Sequence, residues 1–182
     1  MGWLDALLGR TKPAKPDLDA LFALPSAAVT LQAATGFTPA GAGSVAFRAA
    51  EGGAFAQLER DVKDLLGRVE VSEDTYGYTW LLVRGDDVST VVTDLHAVNS
   101  SLESAGFGPS LLCSLVTFAD PAGRTLALVY LYKQGTFYPF APAGGTRRDN
   151  ALELQVRGAI EGELRIEPDL SRWFPVWGAP GL

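Results

Sequence analysis

The first ten positions carry hydrophobic residues at the spacing of an amphipathic helix. One side of this helix would hold Trp3, Leu4, Leu7 and Leu8. Asp5 and Arg10 would lie on the other side. Pro13 and Pro16 follow, and each favours an extended conformation in the residue before it. The pattern therefore predicts that residues 1–16 form a helix and a stiff, proline-rich tether.

From residue 17 to residue 182 the hydrophobic period changes several times between that of a helix and that of a strand. Helical spacing occurs at 18–22, 25–35, 55–66, 88–104 and 147–160. Strand-like segments occur at 44–48, 69–83, 111–118, 125–132 and 136–140. Only short turn sequences separate the last three strands, which favours an antiparallel meander. We expect one α+β domain over 17–182, with a mainly antiparallel sheet, a central helix and flanking helices.

Composition and charge narrow the classes of partner. The 182 residues include 15 Lys and Arg against 21 Asp and Glu, which gives a net charge of −6 and a pI near 4.7. This is the wrong sign for a protein that gains affinity by neutralising phosphates, so no nucleic acid is expected. A single cysteine and the absence of a signal-peptide pattern favour the cytoplasm. The longest apolar runs are strand-sized, and no membrane-spanning helix is predicted.

Candidate catalytic residues are few. The lone histidine, His96, has Ser100 one helical turn away and Asp94 two residues before it. A hydrolytic triad needs all three side chains in one line of hydrogen bonds, but Asp94 would point away from His96 on a helix. Cys113 lies in an apolar strand, where burial would make it a structural thiol. Without metal-ligand spacing or a phosphate-binding glycine loop, we predict no catalytic site, no metal and no cofactor.

Aromatic residues concentrate in an irregular stretch at the C-terminal end, from 167 to 182. The candidates are Trp173, Phe174 and Trp177. Such a segment either packs back over the sheet as a lid or offers anchors to a partner. The lid is favoured, because monomers rarely expose contiguous aromatic patches. The same residues are kept as candidate partner or membrane contacts.

The hydrophobic side of residues 1–10 is the second candidate contact. Burying Trp3, Leu4, Leu7 and Leu8 would contribute roughly 1.5 to 3 kcal/mol each. Ordering about nine residues costs about 1 to 2 kcal/mol apiece, so the two terms nearly cancel. Even with Arg10 and two lysines near anionic lipid, attachment would be weak and reversible. A membrane, a protein partner and the domain's own surface all remain open as its target.

Seven runs spread over nearly the whole chain carry a family resemblance. They are MGWLDALLGR, KPDLDALFALPSAA, YGYTWL, TDLHAVNSSLESAGFGPSLLCSL, VYLYKQGTFYPFAP, RRDNALELQ and EPDLSRWFPVWG. Together they resemble the PspA-associated protein family PspAB. The resemblance implies a link to the phage-shock, or envelope-stress, system built around the membrane-remodelling protein PspA. It also implies a connection with an HtpX-like membrane metalloprotease, and it brings no catalytic residues.

The order of elements is also similar to that of type III secretion chaperones and YbjN-like proteins, an analogy of topology alone. Our leading hypothesis is a non-enzymatic adaptor that binds PspA, a PspA-associated protein or a membrane protease at the inner face of the cell membrane. The alternative is a chaperone-like domain that holds client peptides, with a homodimer as one form. A hydrolase built on His96 is the third hypothesis.

Overall fold

The computed structural model describes residues 17–49, 52–67 and 69–182. Within these residues the chain forms four α-helices and six β-strands. The helices are α1 (Leu24–Thr35), α2 (Gly53–Leu66), α3 (Val88–Ser104) and α4 (Asn150–Ile160). The strands are β1 (Thr38–Phe47), β2 (Val69–Glu73), β3 (Thr79–Arg84), β4 (Leu111–Ala119), β5 (Thr125–Leu131) and β6 (Thr136–Phe140). The α+β class is confirmed, whereas the helix predicted at 1–10 lies outside the described residues.

The strands form one antiparallel sheet in the order β2-β3-β1-β4-β5-β6. The predicted meander of β4, β5 and β6 is confirmed, since β5 pairs with both of its neighbours in antiparallel register. Asp120 shapes the turn between β4 and β5 by accepting a hydrogen bond from the backbone N–H of Arg124 at 2.8 Å. Gly123, with φ of 83°, completes this turn in a conformation that favours glycine. The residues of this turn therefore fix the antiparallel pairing of β4 with β5.

Helix α3 packs across the centre of one side of the sheet, which we call the helix face. Its buried residues are Val91, Val92, Leu95, Val98, Asn99 and Leu102. Gly43 of β1 permits the close approach, because a Cβ atom there would lie 2.7 Å from Val91 Cγ1 and 2.9 Å from the carbonyl oxygen of Leu115. Real Cβ atoms do not tolerate such distances. The missing side chain at position 43 thus fixes how close the central helix comes.

Carboxylate caps start two of the four described helices. Asp87 accepts a hydrogen bond from Thr90 N at 2.7 Å at the start of α3. Asp149 accepts one from Leu152 N at 3.0 Å at the start of α4. These bonds satisfy backbone donors that a first helical turn leaves unpaired. Helix α4 begins at Asn150, later than the start at 147 that the hydrophobic spacing predicts.

Two strand predictions need correction. β1 begins at Thr38 rather than at 44, so Pro39, Gly41 and Gly43 lie within the strand. Pro39 is tolerated because this end of β1 pairs only with β4, so its missing N–H breaks no bond to β3. The run 69–83 is a hairpin of β2 and β3 rather than one strand. Of the two, β3 is the interior strand that was expected.

One described segment, Leu18–Thr35, reaches the length and mean hydropathy of a membrane-spanning helix. The strand-sized apolar runs of the sequence predict no stretch of this kind. The segment comprises a 3-10 turn, Leu18–Ala23, followed by α1, which ends before Gly36 in its left-handed conformation. One side of it is buried in the core against α3 and α4. A buried core helix shares this length and composition, so the finding is weak evidence for a membrane span.

Candidate binding groove

The opposite side of the sheet is covered by residues 167–182, which we call the C-terminal strap. This side is the strap face. Its buried cluster contains Ala46, Trp80, Cys113, Leu115, Ala127, Val129, Leu131, Tyr138, Phe140, Trp173 and Ala179. Trp173 is only 5% exposed and stacks on the Tyr138 ring, with centroids 6.2 Å apart. The C-terminal aromatic residues were expected either to pack over the sheet as a lid or to anchor a partner. Trp173 packs over the sheet, as the lid interpretation predicts.

Buried polar side chains hold the start of the strap. Glu167 is buried and accepts a hydrogen bond from Thr136 Oγ1 at 2.5 Å. The backbone N–H of Glu167 donates to the carbonyl oxygen of Phe137 at 2.8 Å, which continues the sheet's bonding past β6. The indole N–H of Trp173 then donates back to the carbonyl oxygen of Glu167 at 3.0 Å. This first turn of the strap is therefore fixed to the edge of the sheet.

Two further side chains bind the middle of the strap. Arg148 donates to the carbonyl oxygen of Trp173 at 2.6 Å and forms a buried ion pair with Glu153 at 2.8 Å. The Tyr138 hydroxyl donates to the carbonyl oxygen of Phe174 at 2.7 Å. Burial raises the pKa of Tyr138, so this hydroxyl keeps its proton and stays a donor. Consecutive strap carbonyls are thus paired although they belong to no helix or strand.

The turn between β2 and β3, residues 74–78, rises beside the strap. Asp74 organises it by accepting hydrogen bonds from the N–H groups of Tyr76 and Tyr78, both at 2.9 Å, and from the Trp80 indole at 3.0 Å. Burial pushes the pKa of Asp74 upward, but these hydrogen bonds outweigh it and leave the pKa below its ordinary value. Asp74 is therefore a carboxylate near neutral pH.

A groove of about 760 Å³ lies between this turn and the strap, and we call it the aromatic groove. Its floor is formed by Trp80, Leu112, Cys113, Leu131 and Tyr138, and its walls by 72–78 and 174–180. Tyr76 is 78% exposed on one wall and Phe174 is 55% exposed on the other. The volume lies within the range of roughly 300 to 1,000 Å³ that is usual for ligand pockets. Large aromatic side chains facing an apolar groove are typical of a binding site.

The floor of the groove offers no nucleophile. Cys113 is buried among apolar neighbours, and burial raises its pKa to about 12. A thiol with this pKa stays protonated near neutral pH and is a poor nucleophile. The predicted burial of Cys113 is therefore confirmed. Acidic side chains enter only on the wall, through Glu73 and Asp74.

His96 lies on the helix face and does not line the aromatic groove. Its Nε2 is 2.8 Å from Asp19 Oδ1, and its Nδ1 is 3.4 Å from Ser100 Oγ. The Phe22 ring packs beside it, with centroids 4.7 Å apart. Sequence reasoning placed Ser100 near His96 but missed Asp19, which is distant in sequence. The cluster joins the 3-10 turn Leu18–Ala23 to α3.

No group of three His, Cys, Asp or Glu side chains suited to a metal occurs among residues 17–49, 52–67 and 69–182. A smaller cavity of about 320 Å³ lies beside Asp17, where the described chain begins. It is lined by Asp17, Ala20, Ala23, Tyr132, Gln134, Gly135, Phe137, Glu163, Leu164 and Arg165. Of these two cavities, the aromatic groove is the one lined by exposed aromatic rings.

Comparison with protein families gives a match over nearly the whole chain. The family model described as PspA associated protein B aligns with residues 1–181. The chain belongs to the PspAB family. Its family therefore supports an accessory role linked to PspA. Comparison of this PspAB protein with curated protein sequences and with solved structures finds no match, so the similarity to secretion chaperones stays an analogy.

The predicted contact residues of the PspAB protein fall into three groups. Trp3, Leu4, Leu7 and Leu8 lie outside the described residues. Trp173 is buried, Trp177 is half-buried against the Phe140 ring, and Phe174 is exposed in the groove. Sequence reasoning missed the opposite wall, formed by Tyr76. The available signal was the dense aromatic run YGYTW, which was interpreted as one strand rather than as a turn entering β3.

Proposed function

We propose that this PspAB protein is a non-enzymatic adaptor of the PspA envelope-stress response that uses the aromatic groove to hold a segment of its protein partner. The family match is the observation that carries the link to PspA. The candidate partners are PspA itself, a PspA-associated protein and an HtpX-like membrane protease. The adaptor acts in the cytoplasm, at or near the inner face of the cell membrane.

The shape of the groove supports protein binding. Its floor is apolar, while Tyr76 and Phe174 stand exposed on opposite walls. Aromatic side chains of this kind supply much of the binding energy at protein interfaces. The turn is fixed by Asp74 and the strap by Tyr138, so both walls are ordered before a partner arrives. Preordered walls reduce the entropic cost of binding.

Co-purification from envelope-stressed cells tests the proposal. The bait is the full chain at its native level, compared with the Tyr76→Ala, Phe174→Ala double variant. We expect the native bait to retain PspA or one of the two other partners, and the double variant to lose about tenfold or more of it. Phe22→Ala is the matched control, because Phe22 is similarly exposed but lies on the helix face beside His96.

Two results would overturn the proposal. Recovery of none of the three partners by a functional native bait would remove the link to PspA. Equal recovery by the native bait and the Tyr76→Ala, Phe174→Ala variant would keep that link but exclude the groove as the binding surface.

The chaperone-like function is the second candidate, because the groove is open and apolar. Under this alternative the groove binds many unrelated unfolded segments with similar affinity. A panel of apolar peptides titrated against the full chain separates the two functions. An adaptor discriminates strongly between the panel and the partner segment, whereas a chaperone-like domain binds both within about tenfold.

The hydrolase remains the weakest hypothesis. Asp19, His96 and Ser100 do form a chain of polar contacts. However, the cluster lines none of the cavities described above, and a triad also needs an oxyanion site beside its nucleophile. Labelling of the full chain with a fluorophosphonate probe tests it directly. Ser100-dependent labelling would support a hydrolase and contradict the adaptor's lack of enzymatic activity.

A further inference from the structure

We propose that β2 is the docking edge for an extended segment of the partner, which pairs with β2 as a seventh strand and extends a large apolar side chain into the aromatic groove. A basic side chain two residues further along that segment lies beside Glu70. This inference rests on the proposed function, and it adds the conformation and the chemistry of the segment that the groove takes. Main-chain pairing at a sheet edge, with alternate side chains in pockets, is a recurring mode of peptide recognition.

The two edges of the sheet differ in how they are covered. At the β6 edge, Phe137 donates its N–H to the carbonyl oxygen of Arg165 at 2.9 Å and accepts from the N–H of Glu167 at 2.8 Å. At the other edge, no segment among the described residues pairs with the outer side of β2. The last four residues of β2 are all exposed. The described part of the chain therefore covers one edge and leaves main-chain groups open at the other.

The register of the β2–β3 hairpin identifies the main-chain groups that face outward. Asp74 donates its N–H to the carbonyl oxygen of Tyr78 at 3.0 Å, so Asp74 bonds toward β3. In an antiparallel pair, residues bonded to the neighbouring strand alternate with residues whose N–H and C=O groups point away from it. Every second residue before Asp74 therefore bonds to β3, and the residues between them face outward. The outward-facing residues are Val69, Val71 and Glu73.

The side chains of β2 on the strap face show where an added strand places its own. Ser72 pairs with Trp80 of the groove floor. Glu70 pairs with Leu82 on the same face, and both line a second cavity of about 550 Å³ at the β2 edge. Two side chains of an added strand, two residues apart, therefore lie beside these two depressions.

Ser72 is the small side chain between the β2 edge and the floor of the groove, and it lines the groove itself. An added strand lies about 5 Å from β2 and about 10 Å from β3. The side chain opposite Ser72 therefore has to be large and apolar to reach Trp80. On the helix face, Val71 is 38% exposed, and an aliphatic side chain on the added strand covers it.

Charge selects a basic segment over a second copy of this chain. Residues 69–87 contain five carboxylates, those of Glu70, Glu73, Asp74, Asp86 and Asp87. Arg84, 3.7 Å from Glu70, and Arg48, over the Tyr78 ring, offset them only in part. Two copies paired edge to edge would bring these carboxylates together, and like charges across a strand pair are destabilising. A lysine or arginine opposite Glu70 is attracted instead.

A synthetic peptide tests the edge with the purified full chain. Its core, Lys-Phe-Val-Lys between threonines, places lysines opposite Glu73 and Glu70 and phenylalanine opposite Ser72 in antiparallel register. One control peptide carries glutamate for both lysines. The other carries an N-methyl group on the valine, which removes the N–H that pairs with Val71. We expect the first peptide to bind at least about tenfold more tightly than either control, measured by isothermal titration.

Residue-resolved hydrogen exchange by NMR shows whether the main chain pairs. The bound peptide should slow exchange of the Val71 and Glu73 amides about tenfold or more, because both N–H groups face outward. The Ser72 amide bonds to β3 and should keep its rate. A ligand held by the groove alone has no reason to produce this alternation.

A proline substitution at the edge gives a second, independent variant. Val71→Pro removes an outward N–H and breaks no bond to β3, so proline is tolerated there. We expect it to weaken peptide binding about tenfold or more. Val71→Thr is the matched control, because it keeps the N–H and a β-branched side chain, and it should bind within about threefold of the native chain.

Four results would exclude this docking edge. One is the absence of binding at about 1 mM peptide. Another is equal binding by the N-methyl peptide, which would mean that the main chain is not used. A third is slowed exchange confined to 74–78 and 174–180, which would place the peptide in the groove without pairing. The last is Val71 protection in the free chain that rises with protein concentration, which would make a second copy the occupant.

The peptide measurements need no PspA, so they fail or succeed separately from the co-purification. Failure of pairing would leave the adaptor function and the groove to be decided by the Tyr76→Ala, Phe174→Ala bait. Conversely, pairing without recovery of any PspA-related partner would leave an edge that binds basic strands of another protein.

Discussion

The two faces of the sheet are covered in different ways. On the helix face, α3 and its neighbours repeat apolar contacts along regular helices, whose backbone groups are already paired. On the strap face, residues 167–182 contain only one short 3-10 turn, Leu170–Arg172. Three strap carbonyls, those of Glu167, Trp173 and Phe174, therefore accept hydrogen bonds from side chains. The irregular strap is held by specific hydrogen bonds to its backbone. The helices on the other face are held by regularly spaced apolar contacts.

The comparison also explains where the groove lies. A helix presents a continuous apolar stripe and leaves little room beneath it. The strap crosses the strap face as a single irregular chain, and the space between it and the turn at 74–78 stays open. The groove therefore forms on the face whose cover is discontinuous. We expect the helix face to dominate global stability and the strap face to control local opening.

The substitution with the largest expected effect on this difference between the faces is Leu95→Ala, in the middle of α3. Leu95 is fully buried. Its truncation should lower the free energy of unfolding by about 2 to 5 kcal/mol, because a cavity remains in the core. Urea denaturation measures the change, with Val29→Ala on the exposed side of α1 as the control, which should shift stability by about 0.5 kcal/mol or less. A small effect at Leu95 would contradict the dominance of the helix face.

The second test fills the close contact between α3 and β1. Gly43→Ala places a methyl group against Val91 and the carbonyl oxygen of Leu115, and the backbone atom cannot move aside easily. We expect a loss of about 1 to 3 kcal/mol in the free energy of unfolding. Gly53→Ala is the matched control, since a Cβ atom there meets no neighbour within 4 Å. Equal effects of the two substitutions would show that α3 is not held against position 43.

The third test compares two tyrosines that play the same part on opposite faces. Tyr138 donates to the carbonyl oxygen of Phe174 in the strap, and Tyr130 to that of Asp17 on the helix face. Each change to phenylalanine should cost about 1 kcal/mol. Hydrogen exchange separates them: Tyr138→Phe should accelerate exchange at 173–180 and Tyr130→Phe at 17–23. Accelerated exchange at both sites in either variant would contradict independent faces.

The smallest expected effect concerns Asp74 and pH. Because its pKa is lowered in the folded chain, Asp74 stabilises that state above its unfolded pKa of about 3.9, and the contribution is lost as pH falls through the folded pKa. The native chain should exceed Asp74→Asn in free energy of unfolding by less than about 1 kcal/mol near pH 6, because the site is largely exposed. The difference should shrink below about pH 4. A difference independent of pH would contradict this account.

Much of the fold could be predicted because its signals are local. The signals of the apolar period of α3 and of the turn at Asp120 and Gly123 each lie within a few residues. The start of β1 could not be predicted in this way. Pro39 and Gly43 usually interrupt strands, and only the missing β3 partner at Pro39 and the approach of α3 to Gly43 make them suitable.

The candidate groove was harder to predict than the fold. The aromatic residues of the strap were recognisable, yet their division into buried Trp173 and exposed Phe174 depends on the hydrogen bonds from Arg148 and Tyr138. The wall that carries Tyr76 comes from a hairpin far away in sequence. Asp19 beside His96 has the same origin, a contact between distant segments. Sequence patterns reveal which side chains are available, and tertiary contacts decide which of them meet.

The position of Cys113 gives the molecule a built-in reporter. It is the chain's single cysteine and lies buried in the floor of the groove, within the cluster that includes Trp173. A thiol reagent can reach its sulfur only during a transient opening of that cluster, and the high pKa slows labelling further. The rate of labelling, compared with that in the urea-unfolded chain, therefore measures how often the strap face opens, without an introduced probe.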